Sequence, residues 1–163
     1  EMFEATVTGI KKGSVGEAGS KQATIKTKNI GVIEKNTITG LHGVFNGYKN
    51  ESKLISIAKK DEVHTGSAQI VTCIDRNVVE YFDIDIINIT KQKSKDIKGI
   101  KFKVTDERLL NKTNGIVQGM SGSPIIQDDK LIGAVTHVLV NNPHEGYGIY
   151  IEFMLEDMGI FLL

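Results

Sequence analysis

The sequence predicts an all-β domain, and three observations carry this prediction. First, short runs rich in β-branched residues recur along the 163 residues and are separated by glycine and asparagine, as in folds built from many short antiparallel strands. Second, in the longest run, Asp83 and Asp85 alternate with Ile84 and Ile86, which is typical of a strand with one solvated face. Third, helix signals are few. We therefore expect a barrel or a sandwich.

The predicted strands share a short β-branched or aromatic run bounded by turn residues. In chain order they comprise residues 4–10, 22–27, 37–45, 53–58, 67–74, 78–89, 100–105, 123–127, 130–140 and 147–153. A hairpin turn at residues 128–130 joins two of them. The glycine-rich stretch 11–21 predicts a mobile surface loop, because its glycines lack the spacing of a nucleotide-binding loop and no βαβ unit surrounds them.

Two short helical segments complete the prediction. Residues 105–115 begin with Thr105 as a candidate cap, carry acids in the first turn and end at a glycine. Residues 153–163 are predicted to form a C-terminal helix with an inward apolar face. That face consists of Phe153, Leu155, Met158 and Leu162.

Composition excludes several classes of function. Lysine and arginine together number 20, as do aspartate and glutamate, so the formal net charge is zero and a nucleic-acid-binding role is not expected. No apolar run reaches the roughly 18 residues that span a bilayer. The length suits one domain covering residues 1–163. The lone Cys73 lies in an apolar strand pattern and predicts a small buried hydrophobe rather than a catalytic thiol.

The stretch "NGIVQGMSGSPII", residues 114–126, carries the strongest functional signal. A serine nucleophile needs a tight loop that exposes its hydroxyl and directs backbone N–H groups at the developing oxyanion. Ser121 is the candidate nucleophile, and the N–H groups of Gly119 and Ser121 are the candidate oxyanion hole. The alternative is a plain glycine-serine turn between two strands.

The residues after this loop favour the catalytic interpretation. "DDKLIGAVTHVLV" predicts a hairpin and a return strand. In chymotrypsin-like proteases such a strand follows the nucleophile loop, and its edge binds the substrate backbone. Thr136, His137 and Val138 would form that edge.

The stretch "VTDERLLNKTNGIVQGMSGSPIIQDDKLIGAVTHVLVNNPHEGYGIYIEFMLEDMG" resembles the SpoIVB peptidase family of endospore-forming bacteria. The likeness continues upstream through "EATVTGIKKGSVGEAGSK", "IGVIEKNTITGLHG" and "YFDIDIINI". The resemblance covers nearly the whole chain. It implies a chymotrypsin- or trypsin-like double β-barrel and a Ser-His-Asp mechanism without cofactor or metal. The family's nucleophile matches Ser121 and its aspartate matches Asp106, for which a helix-capping role is the alternative.

The base is the residue that this resemblance does not supply. In the family the histidine lies in a Gly-His motif upstream of the segment matched by residues 1–20, and this chain has no such motif. The opening "EMFEATVTGI" also does not read as a translation start. We therefore expect a peptidase domain shortened at its N-terminus, without the family's membrane segment and PDZ domain, and nearly inert by itself.

Four histidines are present, and one is a candidate base. His42 precedes the aspartate and the serine in the chymotrypsin order, although its surroundings match a family stretch that follows the true base. His64 lies in a charged turn and His144 in a glycine-containing turn. His137 either lines the substrate strand or is a buried, hydrogen-bonded histidine. Their spacing predicts no metal site.

The resemblance also implies a biological role. A family member crosses from the forespore into the space between forespore and mother cell and processes itself. There it cleaves a membrane-associated regulator of an intramembrane protease complex, which triggers activation of the late mother-cell sigma factor. Contact with the membrane would be through the N-terminal segment alone.

Two other classes of function stay open. The missing base favours a non-catalytic, protease-like module that binds peptides or regulates a partner, whereas the intact "GMSGSP" favours an enzyme. An esterase is the weaker alternative, because the chain has no G-x-S-x-G elbow within an α/β pattern.

Overall fold

The computed structural model describes residues 1–47 and 54–162, and β-strands make up most of them. The first three strands form an antiparallel sheet in the order β1-β2-β3. They are β1 (Met2–Lys11), β2 (Ser20–Thr37) and β3 (Gly40–Phe45).

β2 is longer than the sequence predicts. Its first half pairs with β1 and its second half pairs with β3, and the partner changes at Gly31. The predicted strands 22–27 and 37–45 are therefore parts of one hairpin, whose long arm continues through residues 28–36. This continuation has few apolar residues, so it depends on backbone pairing with two partners rather than on a local pattern.

Six strands of the second sheet close into a barrel. In chain order they are β5 (Gly66–Asp75), β6 (Val78–Ile89), β7 (Ile100–Val104), β8 (Pro124–Gln127), β9 (Lys130–Leu139) and β10 (Asn142–Tyr150). Their order is β10-β7-β6-β5-β8-β9, and the pairing of β9 with β10 closes the circle. The short β4 (Ser56–Ile57) runs parallel to the start of β9. Lys53, the first residue of the predicted strand 53–58, lies outside the described residues.

The barrel interior contains the hydrophobic core. In β6, Phe82, Ile84 and Ile86 are buried whereas Asp83 and Asp85 are exposed, so the predicted alternation is confirmed. The large side chains that are fully buried all come from the barrel and the segments that pack on it. They are Tyr150, Phe82, Phe102, Ile70, Ile84, Ile86, Ile100, Leu109, Met120, Ile125, Ile132 and Ile149.

The first helix, α1 (Glu107–Thr113), is capped by Asp106 rather than by the predicted Thr105. The Asp106 backbone is extended, with φ −69°, and its carboxylate accepts hydrogen bonds from the N–H groups of Arg108 and Leu109. The helix ends at Asn114, which has a left-handed conformation with φ 58°.

The second helix, α2 (Ile151–Asp157), begins directly after β10. The predicted strand 147–153 therefore ends three residues early, at Tyr150, and the predicted helix 153–163 is shorter than expected. Phe153 is buried as predicted, but Met158 is half exposed because the helix has already ended. Gly159, with φ +78°, follows the last turn and stops it. Leu163 lies outside the described residues.

The glycine-rich segment 11–21, predicted to be mobile, is hydrogen-bonded to three other segments. Gly13 N–H donates to Thr113 O (3.0 Å), and Gly16 N–H donates to Val140 O (2.9 Å). Gly19 O accepts from an N–H of the segment after α1 at 2.8 Å. These bonds attach the three-stranded sheet to one end of the barrel.

The two sheets differ in how far their apolar side chains are buried. The three-stranded sheet has several large hydrophobic side chains on its surface, among them Phe3, Ile25, Val32, Val44 and Phe45. One closed barrel, a second open sheet and a short C-terminal helix confirm the predicted all-β class and are consistent with a chymotrypsin-like fold.

Candidate active site

The loop between α1 and β8 presents Ser121 at its tip. Two tight turns fold this loop: Met120 N–H donates to Val117 O (3.1 Å), and Ser123 N–H donates to Met120 O (2.9 Å). The Met120 side chain is fully buried and anchors the loop in the core. Ser121, the next residue, is exposed. The sequence therefore places a hydrophobic anchor beside an accessible hydroxyl.

In the part of the loop around Ser121, residues 118–123, the N–H groups of Gly119 and Ser121 have no hydrogen-bond acceptor among the residues that the structure describes. The N–H groups around them all donate to backbone carbonyls. These bonded neighbours are Gln118, Met120, Gly122 and Ser123. Gly119 has φ +94°, a conformation that glycine adopts without strain. The loop therefore leaves free the two donors that the sequence predicts as an oxyanion hole.

The Ser121 hydroxyl donates to Thr136 O at 3.2 Å. Thr136 is itself held in place, because its Oγ1 hydroxyl donates to Ile97 O at 2.7 Å, and Tyr147 O lies 3.1 Å from the same oxygen. Among the described residues, no histidine or carboxylate forms a hydrogen bond with Ser121 Oγ. The candidate nucleophile therefore donates its hydrogen bond to a backbone carbonyl, which cannot act as its base.

The predicted substrate edge lies next to Ser121. β8 pairs with β9 only as far as Ala134, and loop residues extend that pairing to Val135. Beyond Val135, β9 pairs with β10 on one side, and no described strand pairs with its other side. Thr136, His137 and Val138 lie in this one-sided part of β9. An extended peptide has room to pair with such an edge.

A cavity of about 470 Å³ opens beside Ser121. One wall is the tip of the β2–β3 hairpin, residues 37–41, and the opposite wall is β9 from Ala134 to His137. Ile97, Ile149 and Met154 also line the cavity. Its lining contains no aspartate, glutamate, lysine or arginine among the described residues, so the cavity suits an apolar side chain.

The Asp106 carboxylate accepts several hydrogen bonds at the start of α1. It accepts from the N–H of Arg108 (2.9 Å), from the N–H of Asp83 (3.3 Å) and from Nη2 of Arg108 (2.9 Å). Burial raises the pKa of this carboxyl, but the bonds from Arg108, Asp83 and Leu109 outweigh burial and hold the pKa below its usual value. In the described chain no histidine bonds to Asp106, so its catalytic role stays a prediction.

His42 is buried in β3 and faces two threonines rather than Ser121. Its Nε2 lies 3.3 Å from Thr37 Oγ1 and 3.2 Å from Thr39 Oγ1, and both hydroxyls donate to Asp157 Oδ2. This network links the hairpin tip to the end of α2. The structure therefore brings together Ser121 and the edge of β9 but does not join His42 to them, and a role as base stays a prediction.

The other three histidines lie apart from one another. His64 is exposed and its Nε2 is 2.7 Å from Asp128 Oδ2; a bond to Thr65 O and this carboxylate raise its pKa. His144 Nε2 lies 3.0 Å from Asn114 Oδ1. His137 is exposed, unlike a buried core histidine. Among the described residues, no group of three or more potential ligands could hold a metal ion.

Several residues at the site carry no sequence signal that could have identified them. Ile97 and Met154 line the cavity from segments without a recognisable motif. Lys21 lies against Gly119, since a Cβ placed on that glycine would be 3.1 Å from Lys21 Cβ. These contacts join distant parts of the chain, and only the folded structure reveals them.

A family model described as SpoIVB peptidase S55 matches residues 1–155 of this chain, which include both sheets and the Ser121 loop. Searches of curated proteins and of solved structures found no match. None of the helices in the described part of the chain is long and apolar enough to cross a membrane.

Proposed function

The chain belongs to the SpoIVB peptidase S55 family, and on this premise we propose that it is a serine endopeptidase with Ser121 as its nucleophile. Family membership supports peptidase activity. The observation that supports the serine mechanism most directly is the pair of free N–H groups at Gly119 and Ser121, on either side of an anchored residue and beside an exposed hydroxyl. Both donors are therefore available to bind an anion beside the hydroxyl, as an oxyanion hole requires.

In the proposed reaction, Ser121 Oγ attacks the scissile carbonyl carbon and the carbonyl oxygen becomes an anion. The N–H groups of Gly119 and Ser121 donate to that oxygen. A base takes the proton from Oγ and later gives it to the leaving amine. The resemblance implies that this base is a histidine outside the matched stretch. Within this chain, His42 is the candidate base and Asp106 the candidate orienting acid.

The substrate would bind as an extended chain along the one-sided part of β9. Backbone pairing with Thr136, His137 and Val138 supplies affinity without depending on side-chain identity. The bond from Ser121 to Thr136 O must be broken when the hydroxyl turns toward the scissile carbon. The apolar cavity next to Ser121 is suited to an uncharged side chain of the substrate.

We propose that the protein acts in sporulation signalling. The cleaved protein would be a membrane-associated regulator of an intramembrane protease complex, in the space between forespore and mother cell, and the peptidase would also cleave itself. Membership of the SpoIVB family supports a secreted sporulation peptidase. The particular substrate and compartment rest on that membership alone.

The second candidate function is a non-catalytic module that binds peptides or regulates a partner. One observation favours it: among the described residues, no base is hydrogen-bonded to Ser121. Such a module would keep the open edge of β9 and the cavity and would bind a peptide without cutting it.

The test is intact-mass labelling of the 163-residue chain with a serine-directed fluorophosphonate. If a base acts within this chain, one adduct should form, which Ser121→Ala removes and Ser67→Ala, at an exposed serine of β5, leaves in place. Loss of the adduct in His42→Ala, with the fold intact by circular dichroism, would identify His42 as the base. If neither this chain nor the chain extended by the family's Gly-His motif is labelled, the serine mechanism is wrong and the binding module takes its place.

A further inference from the structure

Lys21, at the start of β2, is attached to the nucleophile loop through its backbone. Lys21 N–H donates to Gln118 O (2.9 Å), and Gln118 N–H donates to Gly19 O (2.8 Å). Ser20 and Gln118 form a parallel bridge. The beginning of β2 therefore pairs with the loop at the residue immediately before Gly119.

The side chain of Lys21 packs against the loop before Ser121 and is linked through Thr72 to the loop after it. Its stem lies under Gly119, where an added Cβ would be 3.1 Å from Lys21 Cβ and 3.3 Å from Cδ. Its Nζ donates to Thr72 Oγ1 at 2.8 Å, and Ser123 Oγ donates to the same oxygen at 3.0 Å. One lysine thus packs against the residue two positions before the nucleophile and is linked to the residue two positions after it.

The Lys21 ammonium forms no ion pair with a carboxylate in the described chain. Its electrostatic neighbour is Cys73 on β5, and the loop residues around it are uncharged. Burial lowers the pKa of Lys21, which reflects the free energy needed to keep a cation partly out of water. A partly buried cation without a counter-ion is typical of functional sites. The proposed reaction at the adjacent loop creates a negative charge.

We propose that Lys21 is a positioning residue for the peptidase reaction. Its stem and its hydrogen bond to Thr72 hold the loop from Gly119 to Ser123 in the conformation that presents the two free N–H groups. Its positive charge, behind that loop, favours the anionic intermediate. The charge effect rests on the proposed serine mechanism, whereas the effect on loop conformation does not.

The first experiment measures amide hydrogen exchange in peptides that cover residues 114–126. Lys21→Met keeps the stem but removes the charge and the hydrogen bond. We expect exchange in these peptides to become about tenfold faster, as for the loss of one hydrogen bond to a charged group. Lys28→Met, at an exposed position of the same strand, is the matched control and should leave exchange unchanged.

A second variant distinguishes a local effect on the loop from a general loss of stability. Thr72→Val keeps the shape of the side chain and removes the oxygen that joins Lys21 to Ser123. It should accelerate exchange in the same peptides and leave the remainder of the barrel protected. If both variants exchange at the wild-type rate in residues 114–126, Lys21 does not position the loop and the inference is overturned.

The second experiment measures fluorophosphonate labelling as a function of pH in the wild type, Lys21→Met and Lys21→Arg. The charge of Lys21 is present below its lowered pKa and is lost as pH rises through it. The rate advantage of the wild type over Lys21→Met should therefore shrink toward alkaline pH, whereas the advantage of Lys21→Arg should persist because guanidinium stays charged. A merely structural role would give ratios that do not depend on pH.

The outcomes separate this inference from the proposed function. Ratios independent of pH would overturn the role of the charge while leaving Ser121 as a nucleophile. If neither the wild type nor the chain extended by the family's Gly-His motif is labelled, the serine mechanism fails. Hydrogen exchange then still decides whether Lys21 fixes the loop.

Discussion

The closed barrel and the three-stranded sheet contain similar strands but are stabilised differently. Each barrel strand has a partner on both sides for at least part of its length, and the inward side chains form the core. The three-stranded sheet has β1 and β3 as edges, and residues such as Val32 and Val44 remain exposed on it. The barrel therefore supplies most of the stability from burial, while the sheet relies on attachment to it.

The Ser121 loop lies where these two regions meet. The barrel contributes the buried anchor Met120 and the carbonyl of Thr136. The sheet contributes Lys21 beside Gly119 and the hairpin tip that forms one wall of the cavity. A weakly packed region can therefore contribute to a functional site when hydrogen bonds hold it against a well-packed region.

Equivalent truncations in the two regions should have very different effects on stability. Phe82→Ala removes a fully buried ring from the barrel, and we expect it to lower the free energy of unfolding by about 3–5 kcal/mol. Phe45→Ala removes a ring that is 55% exposed on β3, and we expect a loss below about 1 kcal/mol. Urea unfolding followed by circular dichroism measures both. Equal losses would mean that the sheet contains a core of its own.

A smaller effect is expected at the start of α1, where Asp106 connects the helix to β6. Asp106→Ala removes the cap, and we expect unfolding to become about 1–2 kcal/mol easier in urea. Asp106→Asn should keep most of this stability, because asparagine is an equally good cap. The asparagine variant also tests catalysis: labelling of Ser121 at the wild-type rate would leave Asp106 with the capping role alone.

The smallest predicted effect concerns the attachment of the hairpin tip to α2. Hydrogen bonds from Lys95, then from Thr39 and Thr37, lower the pKa of Asp157. Because the folded-state pKa is depressed, this stabilisation is present above the ordinary value of 3.8 and is lost as pH falls through the folded value. The wild type should have a higher Tm than Asp157→Asn at about pH 6.

That difference in Tm should shrink progressively in acid, toward about pH 2. Differential scanning calorimetry at several pH values measures it, with Asp61→Asn as a control at an exposed aspartate. A difference that stays constant across this range would show that the Asp157 charge does not hold the tip in place.

Much of the barrel was predictable because its strands carry their own patterns. β6 alternates between buried isoleucine and exposed aspartate, and the hairpin between β8 and β9 follows from two aspartates that both adopt positive φ, Asp128 and Asp129. The middle of β2 and the change from β10 to α2 were not predictable from local patterns. Residues 28–36 are a strand because two partners pair with them, and residues 151–153 satisfy either structure equally well by composition.

At the site, the motif predicted the candidate nucleophile Ser121 and the candidate donors Gly119 and Ser121, because glycine and serine at those positions have a direct mechanical role, and their catalytic roles stay predictions. It did not identify their supports. Lys21, Thr72 and Ile97 reach the site through contacts between segments far apart in sequence, and a lone sequence contains no record of such contacts. The motif also does not say which residue is the base. In the structure the candidate His42 lies within hydrogen-bonding distance of two threonines and is not bonded to Ser121.

The pairing of Lys21 with Gln118 has a consequence for the time at which activity arises. It joins the beginning of the chain to a loop near its end, and contacts between such distant segments form late, after more local pairing has reduced the entropy of closing the loop. Until that pairing forms, the loop lacks the support of Lys21 beside Gly119. The proposed peptidase would therefore gain its full activity only when the three-stranded sheet has joined the barrel.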